Sequence, residues 1–134
     1  MQMRPKTVFI SSDLDIVTAR TTVREVAMGL GFGSIDQARI ATAVSELARN
    51  ILLYAGTGHV TMRAVAGPGR TGIEIVCEDR GPGIANIDLV MQDGYSTSRG
   101  MGMGLPSARR LMDEFSIRSK EGVGATITCR KWRW

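Results

Sequence analysis

Near Gly56 the apolar residues change from helical to alternating spacing, and no other feature narrows the fold so far. Upstream, Ile16, Ala19, Val23, Val26, Ala27 and Leu30 recur at the three- and four-residue steps of one helix face. Ile40, Val44, Leu47, Ala48 and Ile51 repeat the pattern. Each run carries a start signal: Ser12 with Asp15 three residues on, then Ser34 with Gln37. Each also carries a stop signal, Gly29 with Gly31 and Gly33 for the first and Ala55-Gly56 for the second. Downstream, Val60, Met62 and Ala64 alternate with outward residues, and so do Ile73, Ile75 and Cys77. A turn-rich loop from Ala66 to Gly72 joins these runs into an antiparallel hairpin.

Residues Thr7 to Ile10 add a short leading strand. A glycine-rich span from Asp79 to Gly104 follows the hairpin, with a short helical piece expected around Ile87 to Met91. A helix is predicted from Leu105 to Glu114, then strands Phe115–Ser119 and Ala125–Arg130 about a turn at Lys120 to Gly124. The order β-α-α-β-β-α-β-β, with strands in hairpins and helices in blocks, predicts an α+β fold. Its sheet is a single layer, mixed or antiparallel, with helices on one face.

Length and composition bound the class. The 134 residues, 43% hydrophobic and 22% charged, suit one globular domain over 1–134. No run approaches the roughly 20 apolar residues of a membrane span. The charges on both sides of the short N-terminal apolar patch are not those of a signal peptide, so a cytoplasmic protein is expected. Cys77 and Cys129 lack zinc-site spacing; they read as buried thiols, with a disulfide the alternative. The net charge of +4 raises the question of a nucleic-acid partner. The cations are scattered, however, and the densest cluster, the tail CRKWRW, reads as solvated, which argues against one.

The glycines of GYSTSRGMGMGLPSA, Gly94 to Ala108, raise the question of phosphate. A Walker A loop needs Lys followed by Ser or Thr after its last glycine, and none is present. A dinucleotide fingerprint needs a third glycine where Ser107 stands, and a strand before it. What remains is a helix start with Pro106 in its first turn, whose free N–H groups favour an anion. Two further clusters frame it. Glu46 and Asn50, four apart, share a helix face at the edge of the apolar stripe. Asp79 closes a strand ahead of Gly81 and Gly83. Arg49 reads as a surface ion-pair residue, with phosphate or a partner as its other uses.

In order, Glu46-Leu47-Ala48-Arg49-Asn50, Asp79-Arg80-Gly81-Pro82-Gly83, Gly100-Met101-Gly102-Met103-Gly104 and Gly122-Val123-Gly124-Ala125-Thr126 span most of the chain. Together they resemble the motifs of the GHKL, or Bergerat-fold, ATP-binding family. The resemblance implies ATP and Mg²⁺ as cofactors. It implies Glu46 as general base, Asn50 as the Mg²⁺ ligand, and Asp79 as acceptor for the adenine amino group. Gly81 and Gly83 would lie against the base, and Thr126 would support Asp79 and the adenine. Gly100, Gly102, Gly104 and Leu105 would form the lid hinge and phosphate-binding turn, with Ser96 and Thr97 as polar lid contacts.

Within that family the chain looks like the small serine kinases of bacterial partner-switching systems. The sole histidine, His59, stands in a predicted strand and not on a phospho-accepting helix. The resemblance implies a kinase that phosphorylates a STAS-domain antagonist or scaffold on Ser or Thr. Once released, it would activate a PPM-type phosphatase regulator. An anti-sigma factor, or a sequestering module tuned by ATP, is the other reading. A basic nucleic-acid binder, motivated by the charge and the Trp132/Trp134 tail, is the third.

Overall fold

The structure is a computed structural model and describes residues 4–81 and 104–133. The expected helical piece near Ile87 lies outside these residues. Elements run β1 (Lys6–Ile10), α1 (Asp13–Gly29), α2 (Ser34–Tyr54), β2 (Gly58–Gly67), β3 (Arg70–Asp79), α3 (Gly104–Leu111), β4 (Glu114–Lys120) and β5 (Gly124–Arg133). The strands form one five-stranded sheet, ordered β1-β2-β3-β5-β4, with every pairing antiparallel. This is the expected α+β architecture, with the sheet antiparallel throughout.

Side-chain alternation separates the sheet's faces. Val60, Met62, Ile73, Ile75, Cys77, Ala125, Ile127 and Cys129 point to one face and are at most 5% exposed. Against them pack Ile16, Ala19 and Val23 of α1 and Val44, Leu47 and Ile51 of α2, in one continuous core. Burying a side chain such as Leu47 contributes about 2 kcal/mol. Both cysteines are free thiols in that core, not a disulfide. Burial raises both, Cys129 to about 12, so neither is a thiolate at neutral pH.

The other face is held by charge. Arg63, Glu74, Arg130 and Glu114 stand directly opposite one another on β2, β3, β5 and β4, an alternating row across four strands. Glu74, 4% exposed, receives Arg63 Nε on one oxygen and Arg130 Nε on the other, each at 2.7 Å. Burial alone would raise its carboxyl. The two guanidiniums outweigh that and hold it below its usual value.

Local signals explain most boundaries. The Ser12 N–H donates to Asp15 Oδ2 at 3.1 Å, fixing the start of α1. Gly56, at φ +82°, ends α2 as its N–H returns to Ile51 O. Three boundaries differ from expectation. Gly33, not Ser34, caps α2, and Gln37 Nε2 donates outward to Phe32 O at 2.8 Å. The β2–β3 turn narrows to Pro68-Gly69, because the strands pair as far as Gly67 and Arg70. Helix α3 stops at Leu111 because β5 captures the chain beyond it: Asp113 N–H bonds Arg130 O, and Asp113 Oδ2 accepts from Trp132 N–H.

The same capture corrects the reading of the tail. β5 runs on to Arg133, and Arg130 and Lys131 have internal partners. Lys131 Nζ donates to Leu111 O at 3.0 Å. Trp132 is 4% exposed beneath the Arg70 guanidinium, 3.7 Å from its ring centre, and its indole N–H donates to Glu114. The tail is a strand of the sheet, not a solvated basic extension. Among the described residues, no helix is long and apolar enough to cross a membrane.

Candidate functional site

Helix α2 supplies the first two site residues because its apolar stripe turns inward and leaves their row at its margin. Glu46 and Asn50 are four residues apart, about 6 Å along the axis. The Glu46 side chain is 23% exposed. Its Oε1 accepts from Arg49 Nη1 at 3.2 Å, and its Oε2 lies 3.6 Å from where a Cβ on Gly104 would stand. Glu46 therefore faces the first residue of α3.

Asn50 is 7% exposed, and its side-chain amide makes no hydrogen bond to another described residue. Leaving a buried amide unpaired costs roughly 1–3 kcal/mol, so a polar residue here suggests a ligand contact. A neutral amide oxygen is a suitable hard donor for Mg²⁺, which takes few protein ligands beside phosphate oxygens and water. Asn50 fits the Mg²⁺ role in donor type and placement. Among the described residues there is no cluster of His, Cys, Asp and Glu that would hold a metal ion unaided.

Asp79 sits where β3 ends, beside the last turn of α2. A Cβ on Gly58 would lie 2.7 Å from Ile51 Cγ2 and 3.2 Å from Asp79 Cβ. Glycine at position 58 is thus what lets α2, β2 and β3 converge. Asp79 Oδ1 accepts from the Gly81 N–H at 3.0 Å, and Asp79 also borders a hollow of about 400 Å³ with Ile10, Thr57 and Arg80. Along α2 the order is therefore Gly104 beside Glu46, then Asn50, then Asp79.

The remaining predicted residues divide. Gly81 is close to α2 rather than free: a Cβ there would stand 2.5 Å from Ala55 Cβ. Leu105 has its side chain in the core at 4% exposure, so only its backbone is available to a ligand. Thr126 is not brought to Asp79. The β3–β5 register places Ala125 opposite Asp79, and Thr126 opposite Glu78 on the charged face. Gly83, Ser96, Thr97, Gly100 and Gly102 lie outside the described residues.

Sequence reasoning undervalued two positions. Arg49 touches the acidic site residue itself, which the opposite charges at i and i+3 signal. Ala125, next to Asp79, was legible from strand alternation alone. Gly124 explains why that neighbour is tight: at φ +146°, a Cβ there would stand 2.2 Å from Asp79 O.

Known proteins resemble this chain along most of its length. The family model for histidine kinase-, DNA gyrase B- and HSP90-like ATPases matches residues 35–133. The serine/threonine-protein kinase RsbT of Bacillus subtilis is 56% identical over 123 residues, covering 92% of each chain. An anti-sigma F factor from Caldanaerobacter subterraneus is 31% identical over 130 residues, covering 92% of this chain and 90% of its own. Among solved structures, the RsbU and RsbW domains of a Mycobacterium tuberculosis protein superpose with a TM-score of 0.66 at 23% identity. That match covers 98% of this chain and 34% of the longer one. The mycobacterial sensor histidine kinase MprB superposes at 0.59 with 16% identity, covering 98% and 97%, a likeness of fold.

Proposed function

The chain belongs to the histidine kinase-, DNA gyrase B- and HSP90-like ATPase family; on that premise we propose that it is an ATP-dependent serine/threonine protein kinase of the partner-switching type. The observation that carries the reading is the pair on α2. A buried Asn50, with no side-chain hydrogen bond to another described residue, stands one turn from Glu46, whose carboxylate faces the start of α3. Identity of 56% to RsbT supports the kinase class.

In this reading residues 1–134 act as one cytoplasmic unit. Mg·ATP brings the phosphoryl group and the charge neutralisation that its transfer requires. Asn50 holds the Mg²⁺ through its amide oxygen. Asp79 accepts the hydrogen bond of the adenine amino group. The backbone N–H groups of Gly104 and Leu105, at the α3 N-terminus, face the phosphates. Gly83, Gly100 and Gly102 form the surrounding turns, with Ser96 and Thr97 as lid contacts. Glu46 takes the proton of the attacking serine or threonine hydroxyl. As that oxygen bonds to the γ-phosphorus, the bond to the bridging oxygen breaks and ADP leaves.

The substrate is a STAS-domain antagonist or scaffold, and the released kinase activates a PPM-type phosphatase regulator. The test incubates the protein and labelled Mg·ATP with its cognate STAS protein. Label on a serine or threonine is expected; none on any STAS candidate overturns the reading. The likeness to anti-sigma F factors favours a second reading, in which the domain sequesters a sigma factor and ATP tunes that affinity. Capture of a sigma factor in place of the STAS protein and the phosphatase regulator would select it.

A further inference from the structure

Arg49 stands between the two residues of α2 that the proposed function uses, and that function gives it no part. Its Nη1 donates to Glu46 Oε1 at 3.2 Å across one helical turn. The other carboxylate oxygen, Oε2, lies toward Gly104 at the start of α3, 3.6 Å from where a Cβ would be. One carboxylate is thus divided: one oxygen is tied to its own helix, and the other is turned toward the neighbouring one.

From this division we propose that Arg49 is a positioning residue for phosphoryl transfer. It pins Glu46 by Oε1 and leaves Oε2 to receive the proton. The proposal rests on the reading of Glu46 as general base.

The physical case has two parts. A free glutamate samples many rotamers, and a base is effective only within hydrogen-bond reach of the proton it removes. A tether across one turn restricts that sampling without occupying the second oxygen. The oxygen left open is also the one turned toward the start of α3, where the proposed function places the phosphates. Among the described residues, Asp79 stands at the end of β3, beside the last turn of α2. On α2, Asp36 and Arg39 pair with each other two or more turns back. On α3, Gly104 itself is uncharged, and Arg109 and Arg110 stand in the last turn. On α1, Arg20, Arg24 and Glu25 are exposed, and its buried residues are apolar.

Two other roles for Arg49 make different forecasts. A passive surface pair would not affect the rate. A direct phosphate contact would act through ATP affinity. The experiment measures phosphorylation of the cognate STAS protein by wild type, Arg49→Gln and Arg49→Lys. A fluorescent ATP analogue reports affinity separately. Because the pair is partly exposed, a moderate effect is expected. In Arg49→Gln, kcat should fall about fivefold. ATP affinity should stay within about twofold, and Arg49→Lys should restore most of the rate.

An unchanged rate in Arg49→Gln would overturn the proposal. So would a large loss of ATP affinity with kcat unmoved, which assigns Arg49 to the phosphates. Glu46→Gln, measured in parallel, separates the two levels. If Glu46→Gln is inactive while both Arg49 variants match wild type, only this inference fails. If Glu46→Gln transfers at the wild-type rate, the base assignment fails and the inference falls with it. Because Arg49 is 39% exposed, its variants are expected to fold, and a melting temperature near that of wild type checks this.

Discussion

Glu74 and Glu46 are both paired with arginine, and they are used in opposite ways. Glu74 stands in the middle of the sheet with its side chain 6% exposed, and both oxygens are occupied by guanidiniums at 2.7 Å. Glu46 stands at the margin of α2 with its side chain 23% exposed, and a single arginine reaches one oxygen at 3.2 Å. The saturated carboxylate joins three strands and has no capacity left. The unsaturated one adds little to the fold and keeps an oxygen available. The local chemistry is the same, so the number of partners that the fold delivers to each carboxylate makes the difference.

Mutation of each should separate the two uses. Glu46→Gln is expected to lower phosphoryl transfer at least a hundredfold while the melting temperature moves by less than about 2 °C. Transfer assays beside thermal denaturation check this, and a large loss of stability would erase the contrast. Glu74→Ala should do the reverse. It leaves Arg63 and Arg130 without their shared acceptor and should reduce unfolding free energy by about 2–3 kcal/mol in urea titrations. ATP affinity should change little.

Asp79→Asn extends the comparison to the end of the site proposed for adenine. Losing a charged acceptor there should weaken ATP binding about tenfold, read by titration with a fluorescent analogue. The pH dependence gives a smaller signal with a defined sign. Because Glu74 is held below its ordinary value, its contribution is present above the unfolded carboxyl pKa of about 4.3. That contribution is lost as pH falls through the lower folded value. Acid titration of unfolding should therefore be shallower in Glu74→Gln than in wild type between pH 5 and pH 3. The smallest effect belongs to Thr126→Val. The sheet turns Thr126 away from Asp79, so ATP affinity should stay within about twofold. A tenfold loss would show that the two act together.

Much of this was legible in the residues. The helical period of Ile40, Val44, Leu47 and Ile51 marks the inward face of α2, and so places Glu46 and Asn50 at its edge. The alternation of Ile73, Ile75 and Cys77 marks the core side of β3, and Gly56 marks the turn between the two regimes. What was not legible depends on neighbours distant in sequence. The tail reads as a basic extension until β5 pairs with β3 and Trp132 settles beneath Arg70. Helix α3 shows no stop at Leu111 until Asp113 meets Arg130 and Trp132. Thr126 completes a familiar string of letters, yet the β3–β5 register sets Ala125, not Thr126, opposite Asp79.

By itself, then, the sequence determined the helices, the hairpins and the residue types available for an ATP site. Periodicity, capping and turn chemistry act over a few residues, and every chain with this pattern experiences them. Only the tertiary structure decided which carboxylate is saturated and which is open. Arg63, Glu74 and Arg130 lie on three strands whose pairing brings Glu74 to Arg130, 56 residues away in sequence. Glu46 meets Gly104 only where α2 packs against α3. Hydrogen-bond partners at such separations are set by register and packing.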